Sequence, residues 1–130
     1  MRFDKFTLKV QEAVQDANAI AAQYGHQAVD VEHLLVSLLK QPEGIIPEIL
    51  KKVGADPASV DQDLKKILER IPRVQGPGAG QAYITPRLNR VLESAFAEAQ
   101  RLSDEYVSAE HVLVAAAEQD FVLNGGQGTL

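Results

Sequence analysis

The stretch Val29-Asp30-Val31-Glu32-His33-Leu34-Leu35-Val36 returns, altered, as Val107-Ser108-Ala109-Glu110-His111-Val112-Leu113-Val114. The offset between His33 and His111 is 78 residues, and it holds without a gap when residues 6–41 are laid on residues 84–119. Thr7/Thr85, Ala17/Ala95, Ala21/Ala99, Val29/Val107, Glu32/Glu110 and Gln41/Gln119 become identical pairs, and Lys9/Arg87 and Val14/Leu92 keep their chemistry. A period of this kind constrains the fold more than any local signal, because a duplicated unit must bury its apolar face against its twin.

The duplication fits one compact domain, the default for 130 residues. Hydrophobic residues make up 45%, enough for a core. A net charge of −5 argues against non-specific contact with nucleic acid or anionic membrane. The chain has no cysteine, which excludes disulfides, thiol catalysis and thiolate metal sites. No apolar signal region follows Met1, and no apolar run approaches the ~20 residues a membrane span needs. The expected setting is cytoplasmic, with neither nucleic acid nor membrane as a partner.

Helical periodicity dominates the chain. Val10, Ala13, Val14, Ala17, Ala21 and Tyr24 fall on one face of a helix over residues 8–24, with Thr7 as N-cap and Gly25 as stop. A second helix over 31–40 is capped by Asp30, carries Glu32 at its positive end and is apolar almost all round, so it belongs between neighbours. A short helix follows over 47–53, then a longer one over 57–70 with the stripe Val60, Leu64, Ile67, Leu68 and Ile71. Thr85-Pro86 opens a fifth helix running to about Leu102, with Leu88, Val91, Leu92, Ala95, Ala99 and Leu102 inward. Ser108 precedes a sixth over 109–119. No strand pattern stands out, although 28–29 and 106–107 can be locally extended. The expected division is a first helical repeat over 1–75, a Gly/Pro linker over 76–84, an incomplete second repeat over 85–120, and a tail over 121–130. Nothing after Gln119 matches the Pro47–Ile71 segment, so the second repeat reads as truncated.

At Phe6-Thr7, Val31-Glu32-His33-Leu34-Leu35 and its repeat, Leu50 to Gly54, and Ile71-Pro72-Arg73-Val74-Gln75-Gly76, the sequence resembles the N-terminal domain of the Clp chaperone ATPases. The last run looks most like the ClpB-type disaggregases, and the doubled Glu-His is similar to ClpC. The resemblance implies an all-α fold of two tandem four-helix repeats related by a pseudo-twofold axis. It also implies a mobile, non-catalytic module on a hexameric ATPase ring, engaging unfolded or aggregated polypeptide. Docking of an adaptor protein, or of phosphorylated arginine as in ClpC-type relatives, is the alternative the resemblance allows. A substrate groove is implied at the positions of Thr7, Leu92, Asp104 and Glu110.

The residues themselves have plainer readings: Thr7 a cap, Leu92 a core residue, Asp104 a turn residue, Glu110 a helix-dipole partner. The pairs Thr7 with Glu32 and Thr85 with Glu110 are exact counterparts by offset, and free helix N-termini beside a carboxylate suit an arginine-bearing ligand. Metal binding is not expected, because no two histidines share a helix face. His33 and His111 read instead as structural groups bonded to a neighbouring loop. No nucleophile–base–orienter set points to catalysis, and no cofactor is implied. The glycines of residues 76–80 lack the Lys-Ser/Thr ending of a nucleotide loop.

Overall fold

The computed structural model describes residues 3–73 and 82–119. A 3₁₀ turn at Phe3–Lys5 leads into six helices: α1 (Leu8–Gln23), α2 (Val31–Lys40), α3 (Ile46–Lys52), α4 (Pro57–Arg70), α5 (Pro86–Arg101) and α6 (Ala109–Gln119). Two two-residue strands, β1 (Ala28–Val29) and β2 (Tyr83–Ile84), complete the described fold. The expectations for residues 74–81 and 120–130, which include most of the linker and the whole tail, lie outside the described residues.

Local chemistry sets the helix ends. Thr7 caps α1 by accepting the Val10 N–H at 3.3 Å, and Thr85 caps α5 by accepting that of Leu88 at 3.0 Å. Both long helices close in the same way. The N–H of Gly25 bonds the Ala22 carbonyl and that of His26 the Ala21 carbonyl; Ser103 and Asp104 do the same to Gln100 and Ala99. This reverse turn needs a left-handed residue after the cap. Gly25 supplies it at φ 71°, and Ser103 adopts it at φ 60° despite its Cβ.

Packing follows the alanines. Ala13, Ala17 and Ala21 on α1 are buried, and their small side chains bring α2 close enough for Ser37 Oγ to donate to the Ala13 carbonyl at 2.7 Å. Along α2, every residue from Val31 to Leu38 is buried. Each fully buried leucine there contributes roughly 1.5–3 kcal/mol of transfer free energy. On the other side, α4 lies across α2 with Leu64 and Leu68 inward. The second repeat reproduces the α1/α2 pair as α5/α6, with Val91, Ala95 and Ala99 buried at the matching positions. No counterpart of α3 or α4 occurs among its described residues.

The strand pairing shows how the repeats are related. Val29 of β1 pairs with Ile84 of β2 in parallel, and Phe6 forms a parallel bridge to Val107. By the offset, Phe6 matches Ile84 and Val29 matches Val107. The segment before each repeat's first helix therefore pairs with the segment before the other repeat's second helix. Thr7 N–H donates to the Val107 carbonyl at 2.9 Å, and Thr85 N–H to that of Val29 at 3.1 Å. This reciprocal exchange is what a pseudo-twofold axis between the repeats produces.

Two expectations change. Tyr83–Ile84 is a strand rather than the end of a linker; its order comes from pairing with β1, a non-local partner. Leu102 is not inward. It is the C-cap of α5, at the point where the chain turns away, and is 49% exposed.

Candidate functional site

The reversed turn that ends α5 and the first turn of α6 face the start of α1 across a cleft of about 540 Å³. Thr7, Asp104 and Glu110 line it, residues from two distant stretches of the sequence that the swapped strand pairing brings together. Leu102, Tyr106 and Val114 also line it, and all three are about half exposed. Sequence reading did not single these three out as candidates. Val114 is the counterpart of Val36, which is buried because α4 packs over α2. With no such helix on α6 among the described residues, the same side chain is exposed.

The cleft is acidic. Glu98, Asp104, Glu105 and Glu110 line it, with His111 as the only basic group among the described residues. Arg101 neutralises Glu98 through two hydrogen bonds, the shorter 2.6 Å, and holds its carboxyl below the usual range. His111 is fixed from both sides. Its Nδ1 accepts the Ser108 N–H at 3.0 Å, so Nε2 carries the proton and donates to Asp104 Oδ2 at 2.9 Å. Glu110 has no hydrogen bond or ion pair among the described residues and projects into the cleft as an exposed carboxylate.

The remaining sequence-predicted residues lie elsewhere. Leu92 is 2% exposed and belongs to the core, not to the cleft wall. Thr85 and Glu32 sit at the pseudo-symmetric counterpart of Thr7 and Glu110, and there the space is filled. Arg87 Nη2 donates to Glu32 Oε2 at 2.6 Å and its Nε lies 3.5 Å from Asp30 Oδ1. Thr85 Oγ1 donates to the same Asp30 oxygen at 2.9 Å.

Behind that cluster runs a histidine relay. Asp30 N–H donates to His33 Nδ1 at 2.9 Å, completing a capping box in which a histidine takes the usual place of Glu or Gln. His33 Nε2 therefore donates to His26 Nδ1 at 2.8 Å. His26 Nε2 is left facing the Leu68 and Ile71 carbonyls at the end of α4 without completing a hydrogen bond to either. Burial and the neighbouring imidazole push His33 down to about 4, so the ring is neutral near pH 7. The structural reading of both histidines is the one the geometry supports. Among the described residues no group of three or more His, Asp or Glu could hold a metal ion. No described helix is long and apolar enough to cross a membrane. A second cleft of about 370 Å³, between α1, α2 and α4, contains none of the sequence-predicted residues.

Comparison with known proteins agrees with this architecture. Residues 5–124 match the Clp repeat (R) N-terminal domain. The chaperone protein ClpB of Nitratidesulfovibrio vulgaris is 42% identical over 121 residues, covering 92% of this chain and 14% of that protein. The ClpB of Clostridium perfringens is 36% identical over 132 residues, covering 100% and 15%. The chain thus spans about one seventh of the curated relatives it matches. Among solved structures, the N-terminal domain of Hsp104 from Candida albicans superposes with a TM-score of 0.81 at 21% identity, covering 93% of this chain and 79% of that one. A ClpV N-domain in complex with a VipB peptide gives 0.74 at 21% identity, covering 95% and 77%. With its duplicated helical pairs and a family match over nearly its whole length, the chain belongs to the Clp repeat N-terminal domain family.

Proposed function

We propose that this domain is the substrate-binding accessory module of a ClpB-like ATP-dependent disaggregase, and that it engages unfolded or aggregated polypeptide through the cleft at Thr7, Asp104 and Glu110. The module is non-catalytic; ATP hydrolysis belongs to the portion of the longer relatives outside the matched region, and the full protein works as a hexamer. The observation that carries the proposal is the pairing of exposed apolar side chains, Leu102, Tyr106 and Val114, with a bare carboxylate at Glu110. Exposed apolar groups around a polar centre suit exposed apolar segments of a misfolded chain. Fluorescence anisotropy with a labelled Leu-Arg-Leu-Arg-Leu peptide tests it. Tyr106→Ala and Glu110→Ala should each weaken binding severalfold, and unchanged affinity in both would overturn the reading.

A second reading, docking of an arginine-bearing or phosphoarginine-bearing partner or adaptor, is favoured by one observation. At the counterpart site Glu32 already holds a guanidinium, that of Arg87. A related ClpV N-domain has been seen with a VipB peptide, so binding a peptide is within the reach of this fold. Replacing both arginines of the probe peptide by norleucine separates the readings. Retained affinity supports the apolar reading, and loss supports the arginine-directed one.

A further inference from the structure

A pseudo-twofold domain should present two equivalent sites, one at Thr7 and Glu110 and one at Thr85 and Glu32. The two differ in the cover that α4 gives Val36 but no described helix gives Val114, and in what stands two residues into the first helix. In α5 that residue is Arg87, which reaches across to α2 and contacts both Glu32, at 2.6 Å, and Asp30, at 3.5 Å. In α1 it is Lys9, whose Nζ instead donates to the Pro42 carbonyl at 3.1 Å while its own carbonyl accepts from Gln41 Nε2 at 2.7 Å. Asp30 also has no acidic counterpart, since Ser108 occupies its place. The two carboxylates differ in exposure: Glu32 is 6% exposed, whereas Glu110 is open to solvent.

We infer that Arg87 is a built-in occupant of the first-repeat site, closing it, so that the domain offers polypeptide one site, at Glu110, rather than two. The inference rests on the proposed peptide-binding role of the Glu110 cleft. Arginine suits the task because its planar fork spans two carboxylates at once, whereas an ammonium satisfies one acceptor at a time and stays strongly hydrated. A guanidinium tethered to α5 is also always present at the site. Any incoming chain must displace it, which lowers apparent affinity by the fraction of time the site stands open.

The test is site-resolved. The full 130-residue chain, labelled with ¹⁵N, is titrated with the Leu-Arg-Leu-Arg-Leu peptide, and amide shifts are followed in two sets. Thr7, Glu110 and Val114 report the open site; Thr85, Glu32 and Asp30 report the closed one. In the unmodified chain only the first set should move. In Arg87→Lys, which installs the residue the fold already accepts at position 9, both sets should move. The reciprocal double variant Lys9→Arg/Ser108→Asp transplants the clamp and should weaken binding at the first set by about tenfold or more. Movement of both sets in the unmodified chain, or of the first set alone in Arg87→Lys, overturns the closure while leaving the Glu110 cleft standing. No movement of either set in any of the three proteins overturns the closure and the cleft together.

Discussion

His33 Nε2 lies 2.8 Å from His26 Nδ1, whereas the equivalent nitrogen of His111 lies 2.9 Å from a carboxylate, Asp104. The two repeats thus share a hydrogen-bond scaffold built on different charge. His26 and Asp104 occupy matching positions, one residue past the left-handed turn that ends each long helix. In the first repeat the acceptor is a neutral imidazole under α4, and a proton added there has no carboxylate to compensate it within the pair.

This difference makes the first repeat acid-sensitive. The His33 pKa falls from 6.5 to about 4 through burial and the neighbouring His26, and burial lowers that of His26 as well. Both values are depressed, so the unfolded chain binds more protons between pH 6.5 and about 4. Stability is complete above that window and falls as pH drops through it. For His33 alone the loss is about 2 kcal/mol between pH 7.5 and pH 5. His33→Gln keeps the capping box, since glutamine at this position still accepts the Asp30 N–H, but it cannot titrate. Urea unfolding of both proteins at the two pH values should show a clearly shallower pH dependence in the variant; parallel curves would refute the assignment.

The left-handed turns give opposite predictions from one geometry. Ser103 adopts φ 60° where Gly25 adopts 71°. Ser103→Gly should therefore stabilise the domain by up to about 1 kcal/mol, the strain a Cβ incurs in that region less the entropy glycine adds to the unfolded chain. Gly25→Ala should destabilise by about 1–2 kcal/mol. Its new Cβ would also meet the Arg73 side chain at 3.3 Å, and Arg73 donates to the Gln23 carbonyl there. A pair of thermal melts read at the same pH decides the signs.

These turns also show what the sequence discloses. Thr7, Gly25, Asp30 and Thr85-Pro86 each encode a helix end in one or two adjacent residues, and the helices they bound were legible to within a residue or so. β2 was not, because Tyr83 and Ile84 are both exposed and owe their extended form to a strand some 55 residues away. The cleft was half legible. Thr7, Asp104 and Glu110 were named through family resemblance, and the swapped strand pairing brings them together. Leu102 follows the helical apolar pattern, so periodicity assigns it inward, but it is the C-cap of α5, where the chain turns away; Val114 is exposed because no helix among the described residues covers that face of α6. The Arg87–Glu32 pair was invisible for a different reason: charges 55 residues apart carry no pattern until the repeats are packed.

Leu92 and Glu110 were predicted as members of one site, and the structure separates them. Leu92→Ala should cost about 2–5 kcal/mol of stability through the cavity it leaves. Its effect on peptide affinity, measured on the folded fraction, should be small. Glu110→Ala should do the reverse, because the carboxylate is exposed and makes no hydrogen bond or ion pair with the described residues. Denaturant midpoints alongside anisotropy titrations distinguish the two; a folded Leu92→Ala protein with lost binding would return Leu92 to the cleft.

Thr7 and Thr85 occupy equivalent caps with unequal duties. Each accepts one backbone N–H from its helix, so each alanine variant should lose about 1 kcal/mol from that source. Thr85 alone also donates its hydroxyl hydrogen, to Asp30 Oδ1 at 2.9 Å, tying α5 to the cap of α2 in the other repeat. A hydrogen bond to a carboxylate acceptor is worth about 1.5–3 kcal/mol in net terms. The bond is partly exposed, which places its contribution at the lower end. Thr85→Ala should therefore destabilise by roughly 1–2 kcal/mol more than Thr7→Ala. A double-mutant cycle between Thr85→Ala and Asp30→Ala isolates the inter-repeat term from the two caps, because each cap is lost in its own single variant. A coupling energy near zero would show that the hydroxyl serves only its own helix.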